Sequence, residues 1–138
     1  MKTSIHRFTV IIALAFAFGG ALLFAADHPA PSMAPGPALA KLKAGNEHFV
    51  TEAKSPTKPT RERRLETANS QHPFAIVVGC SDSRTPPEMI FDQNIGDLFV
   101  VRTAGEVVGD YELGSIEYAV EHLGARLIVV LGHAPQRA

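Results

Sequence analysis

The fold class expected from the sequence is α/β, a parallel sheet of about three strands joined by crossover helices, and three observations predict it. Three short apolar runs, Phe74 to Val78, Leu98 to Val101 and Leu127 to Leu131, are dense in β-branched residues and do not alternate polar with apolar. Strands buried on both faces of a parallel sheet have that pattern. The segments between the runs have helical features, the longest from about Tyr111 to Leu123, which gives the order helix, strand, helix, strand, helix, strand. The residues capable of chemistry follow directly on the strand ends, where a parallel sheet has its functional edge.

Lys2, His6 and Arg7 precede a largely apolar run from Phe8 to Phe24, with Ala25 and Ala26 behind it. This is the layout of a secretory signal, expected over residues 1–26 with a cut near Ala26. A membrane anchor is the competing reading, but the run is short of the ~20 apolar residues of a comfortable span. The expectation is therefore an exported chain, periplasmic or secreted, with no stable membrane span after cleavage. Residues 27–37 are rich in proline and alanine and read as a tether. The remainder, 38–138, is roughly 100 residues, enough for one modest domain. A formal net charge of −1 and the absence of a basic stripe with interleaved aromatics argue against nucleic acid as a partner.

Within the domain, a helix is expected from Ala38, with Pro37 in its first turn and Leu39, Leu42, Phe49 and Val50 on one face. Pro56 and Pro59 mark a loop, and Thr60 is suited to cap a short charged helix through Ala68. The first strand follows, then a short helix after Pro86 and Pro87 carrying Met89, Ile90 and Phe91, then the second strand. Asp110 is placed to cap the long helix and Gly124 to end it, with Leu113, Ile116, Val120 and Leu123 as the buried stripe. With only three strands, the sheet is expected to have an unpaired edge.

Strand one runs into Gly79-Cys80-Ser81-Asp82-Ser83-Arg84, strand two into Arg102-Thr103-Ala104-Gly105 and strand three into Gly132-His133. In a 2-1-3 strand order, Cys80 and His133 face each other across the switch-point crevice, and a thiolate, an imidazole and a carboxylate converge in a way that suits zinc. Each residue also has a plainer reading. Cys80 is the only cysteine, so it cannot pair within its own chain; it is a buried thiol, a nucleophile, an intermolecular bridge or a metal ligand. Asp82 and Arg84 would serve equally as a loop ion pair, and His133 as a turn histidine. The other histidines are placed in the signal (His6), the tether (His28) or solvated positions (His48, His72, His122), with His122 favoured by the helix dipole. Gly105-Glu106-Val107-Val108-Gly109 lacks the spacing of a phosphate loop. Pro86 stands where a cysteine phosphatase needs arginine, and Ser81 lacks the glycine of a hydrolase elbow.

Cys80-Ser81-Asp82-Ser83-Arg84, followed by Gly96-Asp97-Leu98-Phe99-Val100-Val101-Arg102, resembles the β-carbonic anhydrase family. The resemblance continues through Ser115 to Gly124 and the strand ending at Gly132-His133, and upstream through Leu42 to Phe49. It implies the amino-terminal part of that family's parallel-sheet fold. It also implies a zinc lyase (carbonate dehydratase) that reversibly hydrates carbon dioxide to bicarbonate and a proton, with a homodimer or higher homo-oligomer as its assembly. Carried onto this chain, it makes Cys80 and His133 zinc ligands and Asp82 and Arg84 the catalytic dyad. Arginine holds the aspartate off the metal in the active form, and released aspartate, itself a metal ligand then, caps the zinc in the resting form. Zinc lowers the pKa of water toward ~7, giving the hydroxide that attacks carbon dioxide.

The family pattern continues His-x-x-Cys-Gly, whereas here Gln136 and Arg137 follow His133-Ala134-Pro135. A neutral amide does not replace thiolate charge, so weak zinc retention and low activity are expected of the chain as written, whose ending reads as a frameshift or a partial gene rather than an evolved stop. Two other functions compete: a catalytically silent fragment acting as an interaction module through its unpaired edge, and a carbon disulfide or carbonyl sulfide hydrolase on the same scaffold.

Overall fold

Three parallel strands are ordered β2-β1-β3, with β1 (Ala75–Cys80) between β2 (Leu98–Thr103) and β3 (Ile128–Leu131) in a computed structural model that describes residues 33–53, 55 and 59–134. The signal segment, His6, His28 and Gln136 lie outside the described residues. In register, Ile76 lies beside Phe99 and Ile128, and Gly79 beside Arg102 and Leu131. The order is the 2-1-3 arrangement under which Cys80 and His133 are expected to face each other, and each strand ends within two residues of its expected limit.

Side chains alternate along a strand, so β1 feeds two cores. Ala75 and Val77 pack with Phe74, Phe91 and the helix α1 (Pro35–Val50), which contributes Ala38 and Leu42. Ile76 and Val78 pack on the other face with Val101, Ala125 and the helix α4 (Asp110–Leu123), through Ile116 and Ala119. Two short helices complete the order, α2 (Arg61–Glu66) before β1 and α3 (Pro87–Ile90) after it. Among the described residues no helix is long and apolar enough to cross a membrane.

The helix ends follow local chemistry. Helix α1 starts at Pro35, so residues 35–37 belong to the helix and not to the tether; Pro35 and Pro37 occupy the first turn, where a missing N–H costs nothing. The Thr60 hydroxyl accepts from Arg63 N at 3.2 Å and caps α2 as expected. The cap of α4 differs from expectation. Gly109 takes the cap position, Asp110 is already helical, and the Glu112 carboxylate reaches back to Gly109 N at 3.0 Å. Gly124 ends the helix at φ 70°, a left-handed conformation suited to glycine.

Two buried faces are also corrected. On α1 the buried residues are Ala38, Leu42 and Gly45, while Leu39, Phe49 and Val50 are exposed. The cause is close approach to α3: a Cβ on Gly45 would stand 1.7 Å from the Phe91 carbonyl oxygen. Asn46 Nδ2 then donates to Ile90 O at 3.2 Å, and His48, expected to be solvated, pairs with Asp92 at 2.9 Å. On α4 the contact runs through Ile116 and Ala119, which leaves Leu113 and Val120 exposed. The helix lies toward β2 and leaves Ile128 and Val130 of β3 largely exposed on that face.

Candidate metal centre

The carboxyl ends of the three strands bring Cys80, the Asp82-Arg84 loop, the turn after β2 and His133 to one edge of the sheet. Cys80 ends β1 half-buried, and the loop behind it is fixed from below by Arg102 of β2. Arg102 Nε donates to Cys80 O at 2.8 Å and Nη2 to Asp82 O at 2.5 Å. Asp82 O also accepts from the Thr85 backbone N–H and hydroxyl, both at 3.1 Å. Ser81 N donates to Thr103 O at 2.9 Å, which carries the β1–β2 pairing one residue beyond the strand.

Within this frame Asp82 is clamped by Arg84. The Arg84 backbone N–H and Nε each donate to Oδ1 at 2.9 Å, and Nη2 donates to Oδ2 at 2.6 Å. This bidentate pairing holds the Asp82 carboxyl well below the usual carboxylate range. Asp82 and Arg84 thus form the predicted pair, and the carboxylate is committed to the guanidinium.

Cys80 and His133 meet across the β1–β3 gap. The Gly105 N–H, and then the His133 ring, hydrogen-bond the sulfur and lower the thiol pKa. The same contact with Cys80 raises the pKa of His133. The His133 Nδ1–H donates weakly to Ala134 O at 3.4 Å, and a carbonyl only accepts, so Nε2 is the nitrogen directed into the site, 4.0 Å from Asp82 Oδ2. A cysteine placed between an oriented N–H and an imidazole has the environment of a thiolate ligand rather than of an inert buried thiol.

One residue of the site was not singled out by sequence reasoning. Glu106 closes a short 3₁₀ turn, Ala104–Glu106, directly after β2. Ligand atoms of Cys80, Glu106 and His133 all lie within 4.8 Å of one another. Glu106 Oε1 is buried and has no hydrogen-bond partner among the described residues. A carboxylate at the carboxyl end of the strand beside β1 is the available signal, in a segment whose glycine spacing otherwise only excludes a phosphate loop. A sulfur, an imidazole nitrogen and a carboxylate oxygen are a donor set that suits zinc. His72 and His122 stay outside the site, hydrogen-bonded to Ser70 and in tilted ring contact with Tyr118 respectively. A groove of about 750 Å³ beside His48, Met89 and Ile95 includes Leu98 at the start of β2, away from the strand ends that carry Cys80 and His133.

A family model described as carbonic anhydrase matches residues 75–135. The chain is 51% identical over 105 residues to a carbonic anhydrase of Mycolicibacterium smegmatis, covering 75% of this chain and 50% of that protein. It has the same identity and coverage with carbonic anhydrase 2 of Mycobacterium tuberculosis. Among solved structures, the β-carbonic anhydrase CcaA superposes with a TM-score of 0.52 at 31% identity, covering 70% of this chain and 48% of that one. The chain thus spans about half the length of these curated relatives.

Proposed function

The chain belongs to the β-carbonic anhydrase family, and from that premise we propose that its strand-end site serves the zinc-dependent, reversible hydration of carbon dioxide to bicarbonate. The observation that carries the reading is the pairing of Cys80 with His133 beside an Asp82 carboxylate clamped by Arg84. Zinc held there would supply the Lewis acidity that lets water ionise near neutral pH.

The chain's own residues do the positioning. Gly105 N–H and the His133 ring stabilise Cys80 as a thiolate, the form that binds metal. Arg84 keeps Asp82 ionised and turned to itself, so that the carboxylate can accept a hydrogen bond and orient the attacking oxygen without occupying the metal. Arg102 fixes the backbone from which both side chains project. Gln136, where the family pattern has cysteine, contributes no charge, which limits zinc retention and activity unless another anion completes the donor set.

The test is a zinc determination and a stopped-flow assay of carbon dioxide hydration on the full chain. Hydration that requires added zinc and disappears in Cys80→Ala and Asp82→Asn is the expected result. Hydration that survives Cys80→Ala, or no zinc uptake by either the native chain or Gln136→Cys, overturns the proposal.

A further inference from the structure

Resting on the zinc reading above, we infer that Glu106 is the third protein donor of this centre, so that a zinc-type dication is held by Cys80, His133 and Glu106 with no second thiolate. Three observations lead there. The ligand atoms of these three residues lie within 4.8 Å of one another, and no other group of three such donors is found among the described residues. Glu106 Oε1 is buried and without a partner among the described residues, although a buried carboxylate oxygen is costly unless it is hydrogen-bonded, paired or on a metal. The backbone is also bent to bring it there: Gly105 and Glu106 are both left-handed, at φ 72° and 54°. Glycine adopts that conformation freely, but glutamate does not, and such residues concentrate at functional sites.

Charge accounts for the choice of residue type. A thiolate, a carboxylate and a neutral imidazole together carry two negative charges, which offset a dication. With the Gln136 amide in place of Glu106, the set would carry one. The turn that positions Glu106 also points the Gly105 N–H at the Cys80 sulfur, where the N–H favours the thiolate and the neighbouring Glu106 carboxylate opposes it, a repulsion that a cation between them would relieve. Asp82 is unsuited to the role while Arg84 holds both of its oxygens.

The experiment uses the full chain and two probe ions. Zn²⁺ affinity is measured by competition with a chromophoric chelator, and Co²⁺ reports its ligands through thiolate charge-transfer and ligand-field absorption. Glu106→Gln, which keeps size and shape, is expected to weaken Zn²⁺ binding by more than the ~10 to 100-fold typical of losing an outer-shell partner, with changed Co²⁺ ligand-field bands. Gln136→Ala is expected to bind as the native chain does. Glu106→Cys provides a gain of signal that does not depend on a loss: thiolate-to-cobalt absorption should roughly double, as a second sulfur joins the first. Charge-transfer intensity that stays at the one-sulfur level in Glu106→Cys, or native affinity in Glu106→Gln while Cys80→Ala abolishes binding, overturns the role of Glu106 and leaves the zinc reading standing. Native affinity in Cys80→Ala overturns the zinc reading itself.

Discussion

Strands β1 and β3 lie side by side in register and each ends in a residue of the candidate centre, yet they are built differently. Every residue of β1 from Ala75 to Gly79 is buried, with a strand on either side and a helix over each face. In β3, Ile128 and Val130 are 49% and 67% exposed, and among the described residues β1 is the one strand beside it. The cysteine side of the site is therefore preorganised by the core on both faces of its strand, while the imidazole side sits on a strand packed on one face only, through Leu127, Val129 and Leu131. Such a strand opens locally at lower free energy than its neighbour. A metal bridging Cys80 and His133 would be the tie that compensates.

The sharpest way to break this comparison uses the same residue in both strands. Ile76 and Ile128 are register partners, the first fully buried and the second about half-exposed. Ile76→Ala should cost about 2–5 kcal/mol in denaturant unfolding, as for other buried isoleucines. Ile128→Ala should cost about 1 kcal/mol or less. Equal costs would mean that β3 is as well covered as β1, and the contrast would fall.

Zinc offers a reversible version of the same test. In the metal-free chain the amides of Ile128–Leu131 should exchange with solvent faster than those of Ala75–Gly79. At free zinc about 100-fold above its dissociation constant, openings that separate His133 from Cys80 should become harder by about 2.7 kcal/mol. Hydrogen exchange should then show β3 slowing toward β1. Uniform slowing across both strands, or none in β3, would remove the metal as the tie between them.

Arg102 tests what fixes the thiolate side. It lies half-buried in β2 and donates to Cys80 O and Asp82 O. Arg102→Ala should lower stability by about 1.5–3 kcal/mol, the range for hydrogen bonds from a charged group. It should also raise the alkylation rate of Cys80, because the loop above it loses its support. Unchanged stability and thiol reactivity would show that the backbone bonds from Ser81 and Thr85 suffice.

The same contrast explains which features were legible in the sequence. Parallel strands buried on both faces leave unbroken runs such as Ala75-Ile76-Val77-Val78, so the parallel sheet could be read, and its strand ends place Cys80, Asp82 and His133 at one edge once β1 lies between β2 and β3. Helix faces were less readable. Leu39, Phe49 and Val50 have helical spacing, but the face of α1 is chosen by Gly45, whose missing side chain allows the Phe91 carbonyl to approach. That is a fact of tertiary packing, and periodicity does not encode it. Leu113 and Val120 were misassigned for a related reason, since α4 leans on β2 and leaves the face of β3 bare. Glu106 was missed because its position depends on a left-handed turn at a non-glycine residue, which no residue-type preference announces.

Arg84 gives the smallest expected effect on stability and separates holding a fold from holding a charge. Its side chain is 55% exposed, and exposed ion pairs contribute little to folding. Arg84→Ala should therefore leave the denaturation midpoint almost unmoved at neutral pH, unlike Arg102→Ala. The small difference that exists has a defined pH window. The Asp82 carboxyl is depressed by Arg84, so its contribution is complete above the ordinary aspartate value of ~3.9 and is lost as pH falls through its lower value in the folded chain. The native and variant midpoints should thus stay parallel from neutral pH down to about 5 and converge only below about 4. Convergence between pH 6 and 8 would instead implicate His133, and the clamp would lose its assignment to Asp82. In the zinc-loaded chain the same variant should lose carbon dioxide hydration while keeping its fold, because the freed carboxylate can turn toward the metal.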